Sequence, residues 1–381
     1  MARDMDRKHE YDRNRQRAIH RLAEGDGGYK KLSQTHRATL KELESVRRDL
    51  LAFQKREAQE ARIALEVADA EPPKWLAEGN YPKGGPGVPT LFLSDWHWGE
   101  RVRPAEVGGV NAFSPAIARE SARRTFDGAI DLAMHHMVKP EYPGIVVPLG
   151  GDFVDFLLGV QHTSEEPNEL LVRESMRDMA GHIVAGLTRL ADTFGHVFVP
   201  AVPGNHGRLT KRMPTKQTAA TNLDSIFYDK LQDRLAHDSR VTFAISRGSD
   251  IRYRVYGHTY LLTHGYQFRG GDGIIGAIGP IVRGDKKFRA RNSQITRDYD
   301  TLLIGHWHQF MPLPGVIVNG SLKGYDEFAY QNGFQYQPPM QAFWFTHPDR
   351  GITCYWPIQC RPKARGPERQ WVTLDTLYAG G

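Results

Sequence analysis

The segment Ile145-Val146-Val147-Pro148-Leu149-Gly150-Gly151-Asp152-Phe153-Val154-Asp155 reads as a short apolar strand that runs into glycines and then into two carboxylates. Four other stretches repeat this plan. Thr90 to Ser94 leads into Asp95-Trp96-His97, and His196 to Pro200 leads towards Gly204-Asn205-His206. Thr259 to Leu262 leads into Thr263-His264-Gly265, and Thr301 to Ile304 into Gly305-His306-Trp307-His308. Strands that all end in metal-binding side chains point to one edge of an α/β sheet, because ligands of open sheets gather beyond the carboxyl ends of strands.

The spacing within each motif has a chemical reason. Asp95 and His97 are separated by one residue, so both side chains can swing to one ion on leaving the strand, and His306 and His308 repeat that geometry. Carboxylate, imidazole and amide oxygen together suit borderline divalent ions better than an all-oxygen cage. One carboxylate, Asp152, can bridge two ions, and a pair about 3.5 to 4 Å apart clamps the attacking and leaving oxygens of a displacement at phosphorus. Phosphate-ester hydrolysis is the chemistry implied.

In kind and in order these motifs resemble those of the calcineurin-like metallophosphoesterase superfamily, over roughly residues 90 to 325. The resemblance implies a four-layer αββα sandwich and two divalent ions, Mn first, with Fe, Zn, Co or Ni as alternatives. It implies one ion held by Asp95, His97, Asp152 and His308, and the other by Asp152, Asn205, His264 and His306. His206 falls on the family's position for the group that protonates the leaving oxygen. Val318-Asn319-Gly320-Ser321 resembles the turn that follows the last motif in nuclease-like and phosphodiesterase-like members. The branch this suggests is that of DNA-repair exonucleases, of the sort encoded by phages or their hosts.

Two departures stand out. Gly207 follows His206 where the family usually has Asp or Glu to orient the imidazole. Asp155-Phe156-Leu157 lacks the Arg-Gly of the protein Ser/Thr phosphatase branch, which disfavours that activity. Asp155 reads either as a group holding a ligand imidazole or as a helix N-cap. His162 is a second candidate to face the site, with a plain loop histidine as the alternative.

Composition agrees with a soluble enzyme of the bacterial or phage-infected cytoplasm. The chain has 381 residues, 40% of them hydrophobic, enough for one sizeable core. A net charge of +6 is compatible with a polyanionic partner. The only cysteines, Cys354 and Cys360, lie outside the motifs, so no disulfide framework or thiolate metal site is expected. No apolar leader or membrane span is expected either.

Composition shifts divide the chain into a helical arm at residues 1–70, a Pro- and Gly-rich linker at 71–89, a catalytic domain at 90–360 and a tail at 361–381. The arm is broken by Gly25-Asp26-Gly27-Gly28, and Leu43, Val46, Leu50 and Phe53 form a short amphipathic stripe that could serve homo-oligomerisation. Trp75 and Leu76 are candidates to anchor the linker to the core. Helices are expected from Ser114 to His136 and from Asn168 to Phe194. Beyond His237 the chain reads as strands: Val241 to Ile245, Arg252 to Leu262, Val316 to Asn319, Gln341 to Thr346 and Ile352 to Pro357. A helical half followed by strand-rich runs suits two packed sheets with helices outside.

For the substrate, two features favour DNA. The stretch from Gln267 to Arg297 reads as a mobile insertion with clustered glycines and the cations Arg283, Lys286, Lys287, Arg289 and Arg291, which could neutralise a phosphodiester backbone. Arg208, beside the third motif, is a further substrate-binding candidate. Trp96, Trp98 and Trp307 alternate with the metal ligands and either stack on bases or pack in the core, the second being the commoner fate. The leading expectation is a DNA nuclease or exonuclease. The alternatives are a phosphomonoesterase or small-nucleotide phosphatase, and a binding protein with a vestigial site.

Overall fold

The computed structural model describes residues 10–17, 19, 20, 41, 44, 48, 73–77, 81, 82, 84–155, 169–210, 212–270 and 276–361. Two compact units are distinguished, Met1–Ala68 and Asp69–Gly381. In the first, residues 10–17, 19, 20, 41, 44 and 48 are helical. The glycine break and the Leu43 to Phe53 stripe lie outside the described residues, as do His162 and everything after Arg361.

The second unit is mixed α/β with two sheets. Its first sheet has strand order β11-β10-β1-β2-β3-β4. Here β1 is Val88–Phe92, β2 Ile145–Val146, β3 Val197–Ala201, β4 Val241–Ile245, β10 Met340–His347 and β11 Gly351–Gln359. Strands β1 to β4 run parallel, and β10 is antiparallel to β1. The second sheet has order β5-β6-β7-β9-β8, from Asp250–Val255, His258–Thr263, Thr301–Ile304, Val316–Val318 and Met311–Leu313. Within it β6, β7 and β9 are parallel.

Strand alternation explains how these sheets are covered, since successive side chains take opposite faces. Phe343 and Phe345 of β10 enter the cluster formed with the helices α2 (Pro115–His135) and α3 (Val172–Phe194), whereas Ala342 and Trp344 enter a second cluster. That second cluster joins the two sheets, with Phe92, Val146 and Phe198 against Tyr253, Tyr260, Leu262 and Leu303. On β7, Leu302 and Ile304 turn the other way, to Phe268, Tyr299 and Ile281 of helix α5 (Ile278–Gln294). Leu76, in the short helix α1 (Lys74–Ala77), is buried in the inter-sheet cluster, and Trp75 stacks on His196 at 5.9 Å, so both hold the segment before β1 against this unit.

The helices begin and end where local chemistry directs. Ser114 caps α2, its side chain accepting from the Ile117 amide at 3.4 Å. At the start of α3, Glu174 reaches back to accept from the Leu171 amide at 3.1 Å, and Gly195, at φ +81°, ends the helix.

Two expectations need correction. Arg252 to Leu262 is not one strand but the β5–β6 hairpin, closed by Tyr256-Gly257 between the paired Val255 and His258. Tyr256 takes φ +52°, a conformation more usual for the glycine that follows it. The expected mobile insertion is mostly the helix α5, because Ile281 and the partly buried Phe288 give it an apolar side to dock on the second sheet. Residues 271–275, which include two of the clustered glycines, lie outside the described residues. Helix α4 (Leu223–Leu235) was not anticipated.

Candidate metal centre

The parallel strands β1, β2 and β3 of one sheet, and β6 and β7 of the other, deliver the five motifs to one region. Asp95, His97 and His308 bring one donor atom each to within 4.8 Å of one another, and so do Asp152, His264 and His306. In the first group His97 Nε2 lies 3.1 Å from His308 Nε2, which is 3.4 Å from Asp95 Oδ1. In the second, His264 Nε2 lies 2.8 Å from Asp152 Oδ2 and the His264 and His306 rings are 5.2 Å apart.

The backbone is bent to achieve this. Asp95, His97, Asp152, His306 and His308 all have φ between +45° and +67°, five of the ten non-glycine residues with positive φ among the described residues. Such conformations cost about 1–3 kcal/mol each and persist where the surroundings enforce them. The motif glycines permit the close approach: a Cβ on Gly204 would lie 2.1 Å from Asp152 Oδ1, and one on Gly305 2.3 Å from Asp95 Oδ2.

The donor set fits divalent cations. Asn205 is buried, and its Oδ1 has no hydrogen-bond partner, an arrangement that is costly unless a cation takes the lone pairs. The His264 ring is turned by its Nδ1, which donates to the Gly150 carbonyl at 2.7 Å and leaves Nε2 as the donor atom of the neutral ring. Burial opposes charge on His264 and on His206, yet the Asp152 carboxylate at His264, and Asp152 together with Asp155 at His206, outweigh it and push both up to about 9. Burial likewise opposes the Asp152 charge, but His264 and His206 hold it well below the ordinary carboxylate range. His306, with burial and the His264 charge against it, falls to about 3. The pocket therefore draws positive charge to Asp152, while the rings of His97 and His306 stay neutral and able to ligate.

A supporting layer that sequence reading missed holds the loops. Asp224, near the start of α4, accepts from the amides of Asp152 (2.9 Å), Phe153 (3.2 Å), Val154 (3.3 Å) and Gly204 (2.9 Å). One buried carboxylate thus ties the second motif to the third, and burial with the neighbouring Asp152 raises it to about 6. Asn319, in the turn after the last motif, donates to Phe92 O and Ser94 Oγ and accepts from the Ala342 amide. Ser321 Oγ donates to the Asp95 carbonyl. Lys323, 3% exposed, places Nζ 2.6 Å from both Glu100 and Asp326. Burial raises Glu100 to about 8 although Lys323 draws it down.

His206 stands beside this centre with Nε2 3.9 Å from Asp152 Oδ2. Its Nδ1 is 2.8 Å from Asp155 Oδ1. Asp155 therefore orients His206 and supplies from the second motif what Gly207 cannot, and both bring a donor atom to within 4.8 Å of one on His97. A side chain at Gly207 would put Cβ 2.5 Å from Asn222 Oδ1. Asn222 is committed there, its Oδ1 accepting from the Asp224 amide (2.9 Å) and its Nδ2 donating to the Gly204 carbonyl (2.7 Å).

Among the substrate-binding candidates, Arg208 is buried, and its Nη1 donates to the Asn205 carbonyl at 2.7 Å, bracing the third motif. Arg289 is a correction: it bonds Asp285, Tyr299 O, Asp300 O and Gly315 O and lies over the Tyr299 ring, so its charge is committed within the fold. Arg283, Lys286 and Lys287 are exposed on α5. Trp96 and Trp98 are fully buried, with Trp98 Nε1 donating to Asp178, while Trp307 is only partly buried. No helix among the described residues is long and apolar enough to cross a membrane.

Fold and site together define a mixed α/β protein with a two-part histidine–carboxylate centre at the strand ends. No family model matches the sequence, and no curated protein does. Among solved structures the chain is similar to vacuolar protein sorting 29 from Cryptosporidium parvum, at 13% identity and TM-score 0.27, covering 68% of this chain and 85% of that one. It is similar to the zinc complex of the Entamoeba histolytica counterpart at 10% identity and TM-score 0.28, covering 71% and 100%. A conserved uncharacterized protein (predicted phosphoesterase) from Streptococcus pneumoniae matches at 9% identity and TM-score 0.26, covering 71% and 97%. At these identities and TM-scores the likeness supports no inference about function.

Proposed function

We propose that this chain is a calcineurin-like metallophosphoesterase that hydrolyses phosphodiester bonds, with DNA as substrate. The observation that carries the reading is the pair of donor groups, Asp95-His97-His308 and Asp152-His264-His306, beside the His206–Asp155 pair. Asn205 completes the second group, and Asp152, placed there, is the carboxylate that would bridge to the first. Two divalent ions, Mn foremost, would act there as Lewis acids on a phosphoryl oxygen.

The chain's own residues divide the remaining work. Asp155 accepts from His206 Nδ1–H, which fixes the ring and stabilises its imidazolium form, so that Nε2 also carries a proton, facing the centre. From there His206 donates to the leaving oxygen as general acid. Asp224, through four amides, keeps the second and third motifs in register while this happens.

The test is turnover with Mn of a plasmid, a single strand, bis-p-nitrophenyl phosphate and p-nitrophenyl phosphate, alongside metal content. Asp152→Asn is expected to lose metal and turnover together, since a neutral amide balances two dications poorly. A variant with both ions and near-native turnover refutes the assignment. A native preference for the monoester, with no salt-sensitive DNA affinity, replaces the diesterase reading by a small-substrate phosphatase.

A further inference from the structure

Aromatic side chains are rarely left in water in a cluster, because each removes a large apolar area when buried. Among the described residues, Phe328, Tyr330, Phe334 and Tyr336 are 57%, 50%, 49% and 49% exposed within a span of nine residues. They lie on and after the short helix α6 (Glu327–Gln331). Phe328 and Phe334 meet edge to face at 5.7 Å, and Tyr336 meets Tyr325 at 5.5 Å. The rings thus hold one another without being covered.

The segment borders the metal centre at both of its ends. It departs just after Ser321 and Leu322, which bond the Asp95 carbonyl. It returns where Gln335 O accepts from Gln309, the residue after His308, at 3.1 Å and where Gln337 Oε1 accepts from the Phe310 amide at 2.6 Å. Its outer side touches the segment that follows His97, through Arg103 N to Glu327 Oε1 at 2.8 Å. Arg101 and Arg103 are exposed there; Arg103 is paired with Glu106 at 3.3 Å, which leaves Arg101 as the cation beside the rings on the side of the first donor group.

We infer that this aromatic rim is a stacking platform for the unpaired bases of a single-stranded nucleic acid whose backbone enters the metal centre. The inference rests on the phosphodiesterase reading and names its substrate class. Exposed rings accept any base face, Arg101 can neutralise a phosphate of the adjoining backbone, and the glutamine and asparagine side chains between the rings tolerate water. Arg103 already has Glu106 as its partner, whereas Arg101 faces water beside the rings and favours an anionic strand over the aromatic face of a second copy of this chain, the competing occupant.

Binding of a phosphorothioate oligothymidylate, which resists hydrolysis, is compared by fluorescence anisotropy with an abasic strand of equal length and charge, using the Mn-loaded protein. The native chain should bind the thymidylate more tightly. Phe334→Ala and Tyr336→Ala should each weaken that binding roughly five- to hundredfold, leave abasic binding and its salt slope unchanged, and keep Mn content. Phe334→Leu should also lose affinity, and Tyr336→Trp should retain it. Equal native affinity for the two strands overturns the platform, as does a variant that weakens both alike. A native dimer that the alanine variants dissociate, with thymidylate binding intact, assigns the rim to self-association instead. Because binding is read without turnover, an inactive protein that still prefers the thymidylate refutes the hydrolytic reading and leaves the platform standing.

Discussion

Replacing Asp155 by Asn probes the group that makes His206 useful. The carboxylate oxygen lies 2.8 Å from His206 Nδ1, and the two side chains are 11% and 17% exposed, so the bond is largely shielded from water. A hydrogen bond to a charged partner in such a setting contributes about 1.5–3 kcal/mol. At about 1.4 kcal/mol per factor of ten, its loss lowers turnover roughly ten- to hundredfold. That reaches at most the lower end of the roughly hundred- to ten-thousandfold worth of a whole general acid, as expected for a group that positions the acid. The assay is kcat on a diester with an alkoxide leaving group, set against bis-p-nitrophenyl phosphate, whose nitrophenolate hardly needs a proton. Asp155→Asn should slow the first far more than the second and keep both metals. Equal losses on the two substrates, or a near-native rate on the alkyl ester, refute the assignment of Asp155 as the positioning residue and of His206 as the acid.

Gly207→Asp, which installs the acid usual in the resembled family, should impair this chain: its Cβ would meet Asn222 Oδ1 at 2.5 Å. The overlap costs about 1–3 kcal/mol, read as a lower urea midpoint; an unchanged midpoint with higher turnover contradicts it. In metal-stripped protein, His206 and His264, raised to about 9 against an ordinary 6.5, stabilise the fold fully below pH 6.5 and lose that contribution as pH rises through 9. The urea midpoint should therefore fall between pH 6 and pH 10, and Asp152→Asn should flatten that fall; an equal fall in the variant argues against Asp152 as the source. Lys286→Gln with Lys287→Gln should reduce the salt slope of DNA binding, whereas Arg289→Gln should lower the urea midpoint through its lost carbonyl bonds and leave the slope alone. The reverse ranking would return Arg289 to the substrate.

The sequence by itself determined the donor chemistry and its attachment to strand ends. An apolar run followed by Asp152, or by His306 and His308, is local information, and β7 and β4 occupy the residues read for them, Thr301–Ile304 and Val241–Ile245. The stripe and caps of α2 and α3 were local as well. The turn at Tyr256 was missed although Gly257 marks it, because the positive φ falls on Tyr256 and not on the glycine, an exchange imposed by the pairing of β5 with β6. Nor could spacing show that the cations of α5 divide, with Arg289 drawn to the carbonyls of Tyr299, Asp300 and Gly315.

Only the tertiary structure decided what orients His206. Asp155 is 51 residues away in the chain and meets it because β2 and β3 are parallel neighbours with their carboxyl ends side by side. The same juxtaposition lets Asp224 bind amides from both loops, and it gives Asn222 the space that a side chain at position 207 would need. Ligand identity is written in residue type and order. Orientation, burial and charge balance depend on groups that are distant in sequence and adjacent in space, so they are set by sheet topology.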